Sequence, residues 1–344
     1  MARIALTMGD PAGVGPEVIA AVWACESLWR VCQPVVYGDR AVMQRAADLR
    51  GLAAAVVAVP SAEGAFSVSA ADCMPCVEGP PLDSQAIVPG VVTAQTGEAA
   101  YQAVVAATRL ALAGGVDAVV TAPISKAALH AAGHDYPGHT ELLAELCGVR
   151  EFAMMLYLPK DLASRTRAGL GVIHTTLHQS LRSAIDSLSV EAILEKCRLA
   201  HDAATAYGAE RPRIGVAALN PHAGEGGLFG DEEARLIAPA VEAARAAGID
   251  ATGPHPVDTL MGRAVAGEFD AVVAMYHDQG HIALKLLGMH GAVNITLGLP
   301  IVRTSVAHGT APDKAWRGVA ETSGMIAAIE AAASLSRRRN RNDQ

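Results

Sequence analysis

Histidines that follow apolar runs are the residues in this chain best placed to do chemistry. "DAVVAMYHDQGH" (270–281) ends such a run in His277, with Asp278 beside it and His281 four residues on. "LGVIHTTLHQ" (170–179) holds His174 inside a second run and His178 beyond it, and "RIGVAALNPHAGEGG" (213–227) sets His222 beyond a third. His178, His222 and His277 thus share one topological position, just past the ends of three predicted strands. Three neutral imidazoles with a coordination position left open suit a catalytic divalent cation. Asn and Asp neighbours would orient the rings. A polar strand-end residue is the plainer reading of any one of them, and the coincidence of three favours the site. His174 reads as a core histidine, and Glu225 as a second carboxylate or a loop cap. The i, i+4 spacing of His277 and His281 suggests a helical two-histidine site, but Gly280 and the strand before it argue against a helix there.

Other stretches offer anion and nucleotide contacts. "TAPISKAALHAAGHDYPGHTELL" (121–143) leaves a strand in small and hydroxyl residues, where α/β proteins place ligands, and puts His139 and Thr140 at a helix entrance. Thr140 is a cap or an anion donor. Lys285 and Arg303 supply charge for a carboxylate or phosphate, and Asn294 is placed to orient a hydroxyl. "AHGTAPDKA" (307–315) gathers His308, Thr310 and Asp313 in a loop of small residues that a dinucleotide could approach. "MGDPAGVGPEV" (8–18) links a strand to a helix, with Pro16 and Glu17 suited to the first turn and backbone N–H groups free for an anion. Its glycines at 9, 13 and 15 do not spell G-x-G-x-x-G, although Asp39 stands about where a ribose-binding acid would. A tight strand–helix turn is the plainer reading.

The elements that must position these groups are short Val/Ile/Leu-rich runs at 3–8, 34–38, 117–123, 153–158, 170–176, 213–220, 270–277 and 292–299. Ala-rich helical stretches at 93–113, 180–207 and 231–247 alternate with them. Such alternation predicts an α/β fold with mostly parallel strands and flanking helices. Segment 60–92, rich in Pro, Gly and Ser, reads as irregular or a β-excursion. A chain of 344 residues is long enough for two lobes. The expected division is about 1–125 plus 300–335 against 126–299, with a cleft between the lobes and 336–344 as a disordered tail.

Composition narrows the function classes. Hydrophobic residues make up 51% and aromatics 4%, which suits parallel strands under helices. The net charge of −8 gives no basic field for nucleic acid, and the basic run at 337–341 reads as a solvated tail. No apolar run reaches the roughly 18 residues a bilayer span needs, and the start of the chain reads as a strand rather than a signal peptide. The six scattered cysteines fit a reducing cytoplasm, and Cys73-x-x-Cys76, without a second pair, is a weak metal or redox signal.

Taken together, "MGDPAGVGPEV", "TAPISK", "GHTELL", "LNPHAGEGG", "AMYHDQGH" and "VNITLGLPIVRTSVAHGTA" resemble the NAD-dependent 4-hydroxythreonine-4-phosphate dehydrogenases of vitamin B6 biosynthesis, from about residue 3 to residue 330. The resemblance implies a two-lobed fold similar to isopropylmalate and isocitrate dehydrogenases, which bind NAD without the glycine fingerprint. It implies a cytoplasmic homodimer with active sites at the subunit interface. His178, His222 and His277 match the ligands of a divalent ion (Zn2+, Mg2+ or Co2+) drawn from both chains, and His281 has no ligand role. His139, Thr140, Lys285, Asn294 and Arg303 match the substrate contacts. Lys285, with Asp278 as alternative, is expected to assist proton removal. NAD or NADP is expected near His308, Thr310 and Gly298. The implied reaction oxidises the C3 hydroxyl of 4-phosphooxy-L-threonine and loses CO2. "HTTLHQSLRSAI" and "HDQGHIALKLL" look more like a paralogous branch acting on threonate or erythronate 4-phosphate. A distant relative oxidises a dihydrodiol dicarboxylate, against which "GHTELL" and Arg303 argue.

Overall fold

The computed structural model describes residues 1–163, 165–288 and 291–342, the last three without their side chains. The chain forms two compact units, Met1–Arg150 with Leu299–Gln344, and Glu151–Gly298.

The first unit begins β1 (Ala2–Thr7), α1 (Gly15–Trp23), α2 (Glu26–Val31), β2 (Cys32–Gly38), α3 (Arg40–Leu49), β3 (Ala55–Val59), α4 (Ala62–Val68) and β4 (Cys73–Glu78). It continues with α5 (Ala94–Leu112), β5 (Ala118–Thr121), α6 (Lys126–Ala131) and α7 (His139–Leu146). Its sheet runs β3-β4-β2-β1-β5, all parallel. Helices α3 to α6 start where the sequence supplies an acceptor for their first N–H groups. Asp39 caps α3 through Val42 N–H, and Thr93 and Thr96 form a reciprocal capping box on α5. The core is Ala5, Val35 and Val119 of the sheet under Ala103 and Ala107 of α5 and Phe66 of α4.

The second unit holds β6 (Ala153–Leu158), β7 (Leu170–His174), α8 (Leu181–Asp186), α9 (Val190–Tyr207), β8 (Arg213–Ala217) and α10 (Ala238–Ala246). Then come β9 (Asp250–His255), α11 (Val257–Val265), β10 (Ala271–Ala274), α12 (His277–Gly288) and β11 (Val293–Leu297). Its sheet runs β11-β6-β7-β10-β8-β9. β6 is antiparallel to both neighbours, and β7, β10, β8 and β9 are parallel. The chain returns to the first unit with β12 (Arg303–Val306), parallel to β5, and α13 (Ser323–Asn342), packed on β12 and β5.

The eight expected strands are present, in a mostly parallel α/β arrangement. Among the described residues three further strands, β3, β9 and β12, differ from expectation, and β4 falls in segment 60–92, read as irregular or a β-excursion. Pro75 interrupts β4, Gly253 and Pro254 interrupt the edge strand β9, and β12 is mostly polar, so their sequences read as breakers or loop. Cys73 and Cys76 both lie on β4 and, three apart on a strand, face opposite sides. Residues 126–150 group with the first unit rather than the second. The reason is packing: Val104 of α5 meets Leu142 and Leu143 of α7, and Gly97 of α5 approaches α6 so closely that a Cβ there would stand 1.9 Å from the Ala128 carbonyl oxygen. The expected disordered tail is instead helical as far as Asn342, because α13 buries Ala332, Ala333 and Ser336 on its inner face.

Candidate active site

In the second unit β7, β10 and β8 lie side by side and parallel, so their carboxyl ends share one edge. His178, His277 and His222 follow those three ends in that order. The topological position inferred from sequence is therefore occupied by adjacent strands.

His277 opens α12, and its ring lies 6.0 Å from that of His178, centroid to centroid. Two imidazoles on one tetrahedral cation would have centroids about 5 Å apart, so the pair suits two positions of a metal site. Nδ1 of His277 stands 2.7 Å from Asp278 Oδ1, which favours the ring proton on Nδ1 and leaves the lone pair on Nε2. Leu177, His178, Gln179, Tyr276, His277 and Asp278 line a cleft of about 450 Å³. His222 does not join them within one chain: among the described residues no three His, Cys, Asp or Glu side chains gather to hold a metal ion.

The expectation of no helix after His277 is corrected. Gly280 lies within α12, where it acts as a spacer and not as a breaker. A Cβ there would stand 2.6 Å from His174 Nε2 and from Val172, so only glycine lets the helix seat this closely on β7. His281 is thereby buried. Its ring stacks on His277 at 3.8 Å, and its Nδ1 bonds His174 Nε2 at 3.0 Å. His174, the expected core histidine, is fully buried and also meets the Met154 carbonyl at 3.3 Å. Burial lowers His174 to about 4, helped by the charges of His277 and His178, and lowers His281 further, so both are neutral at pH 7. Lys285 follows His281 by one turn on the same helix face, half-buried.

Gln279 is a residue that sequence reasoning missed. Its Oε1 accepts from Met275 N–H at 2.7 Å and its Nε2 donates to the Ala218 carbonyl at 2.8 Å, tying the ends of β10 and β8 together. No sequence signal marks it, because the partners are backbone groups on different strands.

The loop from Leu219 to Gly230 carries His222 in an unusual backbone. His222, Ala223, Gly224, Glu225 and Gly226 have φ of 53, 54, 77, 44 and 66°. For each of the three non-glycine residues this left-handed region costs on the order of 1–2 kcal/mol, so the surroundings must hold it. Glu225 is exposed on this turn.

Asn294 lies on β11 of this unit. Its Nδ2 donates to Met154 Sδ at 3.3 Å, while its Oδ1 is buried without a hydrogen-bond partner among the described residues. Gly298 ends the unit with φ +83°, and a Cβ there would stand 2.2 Å from the Glu151 carbonyl oxygen. It is thus required by its turn.

In the first unit Arg303, on β12, is fully buried and donates from Nη2 to Thr121 Oγ1 at 2.6 Å. Burial lowers it to about 9, partly offset by Glu141, so it is a cation at pH 7. His139 and Thr140 open α7, whose N-cap is Gly138. Burial, then the charge of Arg303, push His139 well below the usual histidine value, and its Nε2 is buried without a hydrogen-bond partner among the described residues. Buried polar atoms are almost always paired, which makes the orphans on His139 and Asn294 candidates for a ligand contact, alongside others on Thr7, Thr175 and His201.

His308 is exposed, and its Nδ1 bonds the Gly309 carbonyl at 2.9 Å. Thr310 packs on the N-terminal loop: its carbonyl accepts from Val14 N–H at 3.0 Å, and its Cβ would stand 3.0 Å from a Cβ on Gly13. The two motifs read separately in the sequence are thus one loop pair. Glu17 is buried there and accepts from Trp316 and Gly318 N–H at 2.8 and 2.9 Å, joining the pair to the following turn. Asp39 is the cap of α3.

The sequence profile described as "Pyridoxal phosphate biosynthetic protein PdxA" matches residues 30–332. The 4-hydroxythreonine-4-phosphate dehydrogenase of Geobacter metallireducens is 49% identical over 337 residues, 97% of this chain and 96% of that protein. The D-threonate 4-phosphate dehydrogenase of Pectobacterium atrosepticum is 46% identical over 339 residues, 97% of this chain and 99% of that protein. The crystal structure of the 4-hydroxythreonine-4-phosphate dehydrogenase from Klebsiella pneumoniae is similar with a TM-score of 0.85 at 45% identity, covering 98% of this chain and 100% of that one. On these matches the chain belongs to the family of the pyridoxal phosphate biosynthetic protein PdxA, and it is a dehydrogenase.

Proposed function

We propose that the chain oxidises the C3 hydroxyl of 4-phosphooxy-L-threonine with NAD+ or NADP+ in a reaction that needs a divalent metal ion. The product, 2-amino-3-oxo-4-phosphooxybutanoate, is a β-keto acid and decarboxylates to 3-amino-2-oxopropyl phosphate. The observation that carries this reading is the His178–His277 pair with Asp278 on Nδ1 of His277. When bound, the cation supplies a Lewis acid that acidifies the hydroxyl and stabilises the charge formed on oxidation and CO2 loss. Asp278 holds His277 in the tautomer whose Nε2 is a ligand. Stacking on His281, which is itself hydrogen-bonded to His174, fixes the plane of the His277 ring. Lys285 assists removal of the hydroxyl proton, with Asp278 as the alternative. Asn294 Oδ1 accepts from a substrate hydroxyl or amino group. Arg303, His139 and Thr140 bind the phosphate, and His308, Thr310 and Gly298 are the candidate contacts to the nicotinamide cofactor.

The enzyme works in the cytoplasm as a homodimer, with His222 completing the metal site from the second chain. In support, α12 presents Ile282 and Leu286 one turn apart, 59% and 82% exposed, on the helix that His277 opens. Among the described residues no helix is long and apolar enough to cross a membrane.

A second reading, D-threonate or D-erythronate 4-phosphate as substrate, is favoured by the Pectobacterium relative, almost as similar as the Geobacter one. A hydroxyl in place of the amino group at C2 would meet the same residues. The test is NADH formation with 4-phosphooxy-L-threonine and the two sugar-acid phosphates side by side, with and without chelator. The expected outcome is chelator-sensitive turnover, fastest with the amino acid, and its loss in His277→Ala. Turnover that survives chelation or this substitution overturns the metal site, and faster turnover of a sugar-acid phosphate selects the second reading.

A further inference from the structure

The left-handed turn that carries His222 is held from inside by one carboxylate. Glu233 lies in the second unit, opens a π-helical segment, Glu233–Ile237, ahead of α10, and is buried. Its Oε1 accepts from the backbone N–H groups of Leu219 and Asn220 at 2.9 and 2.6 Å, and its Oε2 accepts from Asn220 Nδ2 at 2.9 Å. That amide also donates to Glu232 Oε2 at 2.7 Å. A Cβ on Gly224, in the middle of the turn, would stand 2.7 Å from Glu233 Oε2, so the carboxylate fills the concave side.

We infer that Glu233 is the positioning residue for His222: its carboxylate fixes the entry to the left-handed turn and so sets where the imidazole is presented. The inference rests on the proposed role of His222 as a metal ligand. Three and two residues before His222 the backbone has N–H groups to satisfy, and the turn itself is one that Ala223 and Glu225 would not adopt unaided. The carboxylate satisfies both donors and occupies the space that collapse of the turn would need. The wider π-helical turn is a common device where a side chain must be aimed at a site. Burial alone would raise the Glu233 carboxyl, but the bonds from Asn220 and the backbone outweigh it and hold it below the usual range.

The test compares full-length wild type, Glu233→Gln, Ala223→Gly, the double variant and His222→Ala. Co2+ binding is read by calorimetry and visible absorption, alongside kcat, KM and thermal unfolding. Gln at 233 keeps the size but turns an NH2 group toward Asn220 Nδ2. Glu233→Gln is expected to lower Co2+ affinity and kcat at least ~10-fold, as supporting groups behind metal ligands do, with KM for NAD+ unchanged. Glycine adopts the left-handed region without strain. Ala223→Gly alone should therefore leave turnover as it is, and in the double variant it should restore most of the lost affinity. Wild-type Co2+ affinity in folded Glu233→Gln, whatever its unfolding temperature, overturns the inference, and so does failure of the added glycine to restore it. Should Glu233→Gln not fold, Asn220→Ala removes the Nδ2 donor and keeps both backbone donors, and undiminished Co2+ affinity there overturns it as well. If His222→Ala binds Co2+ like the wild type, His222 is no ligand and the positioning role falls with it, an outcome told apart by which variant is unaffected.

Discussion

Arg303 shows what a single residue can be asked to do in this site. A guanidinium removed from water is tolerated only with acceptors around it, and Thr121 and the charge of Glu141 are near. Even lowered to about 9 it keeps its proton at pH 7, and in the proposed function it would, with the neutral His139, give a phosphate dianion fixed donors. Arg303→Ala is expected to raise KM for the phosphorylated substrate about 10- to 100-fold, the equivalent of one charge-assisted contact, and to leave KM for NAD+ nearly unchanged. Steady-state kinetics with each substrate varied in turn checks this, and equal rises in both KM values would reassign the residue. Residue types near strand and helix ends made Arg303, His139 and Thr140 legible as separate candidates, and only the family resemblance joined them as expected substrate contacts. Gln279 and Glu233 stayed illegible because their partners are backbone groups, which every residue possesses.

At the scale of elements, α12 is where local sequence and tertiary packing disagree. Helix propensity makes Gly280 a liability of about 1 kcal/mol relative to alanine, and that argument led to the expectation of a strand end without a helix. The Cβ that alanine would add collides with His174 and Val172. Overpacking of that kind costs roughly 1–3 kcal/mol, more than the propensity gain. Gly280→Ala should therefore lower the unfolding temperature by several degrees and weaken the His281–His174 contact. A thermal melt that rises instead would show that the helix is not seated on β7 as described. The strands that contain breakers follow the same logic: Pro75, Gly253 and Pro254 disfavour strands locally, and ladder partners on either side of β4 and on one side of β9 override them.

For the molecule as a whole, the apolar face of α12 is the surface that would carry the proposed homodimer. Leu286, 82% exposed on a helix that His277 opens, is costly to leave in water and suits a second copy of the chain. Leu286→Glu is expected to shift the protein from dimer to monomer in analytical ultracentrifugation and to lower kcat by at least ~10-fold, since each site would lose the partner's His222. A monomeric variant with full activity would mean that one chain carries a complete site.

The sequence by itself determined the alternation of strands and helices, the family, and the three strand ends that bear His178, His222 and His277. These are properties of residue type and spacing, which short-range sterics and hydrophobic periodicity translate directly into local structure. Only the tertiary structure decided that those strands are neighbours, that His281 turns inward to His174, that residues 126–150 belong with the first unit, and that a carboxylate from Glu233 holds the turn of His222. Each of these depends on which distant backbone donor or side chain comes within about 3 Å, the range over which hydrogen bonds and packing act, and local spacing along the chain carries no record of that distance.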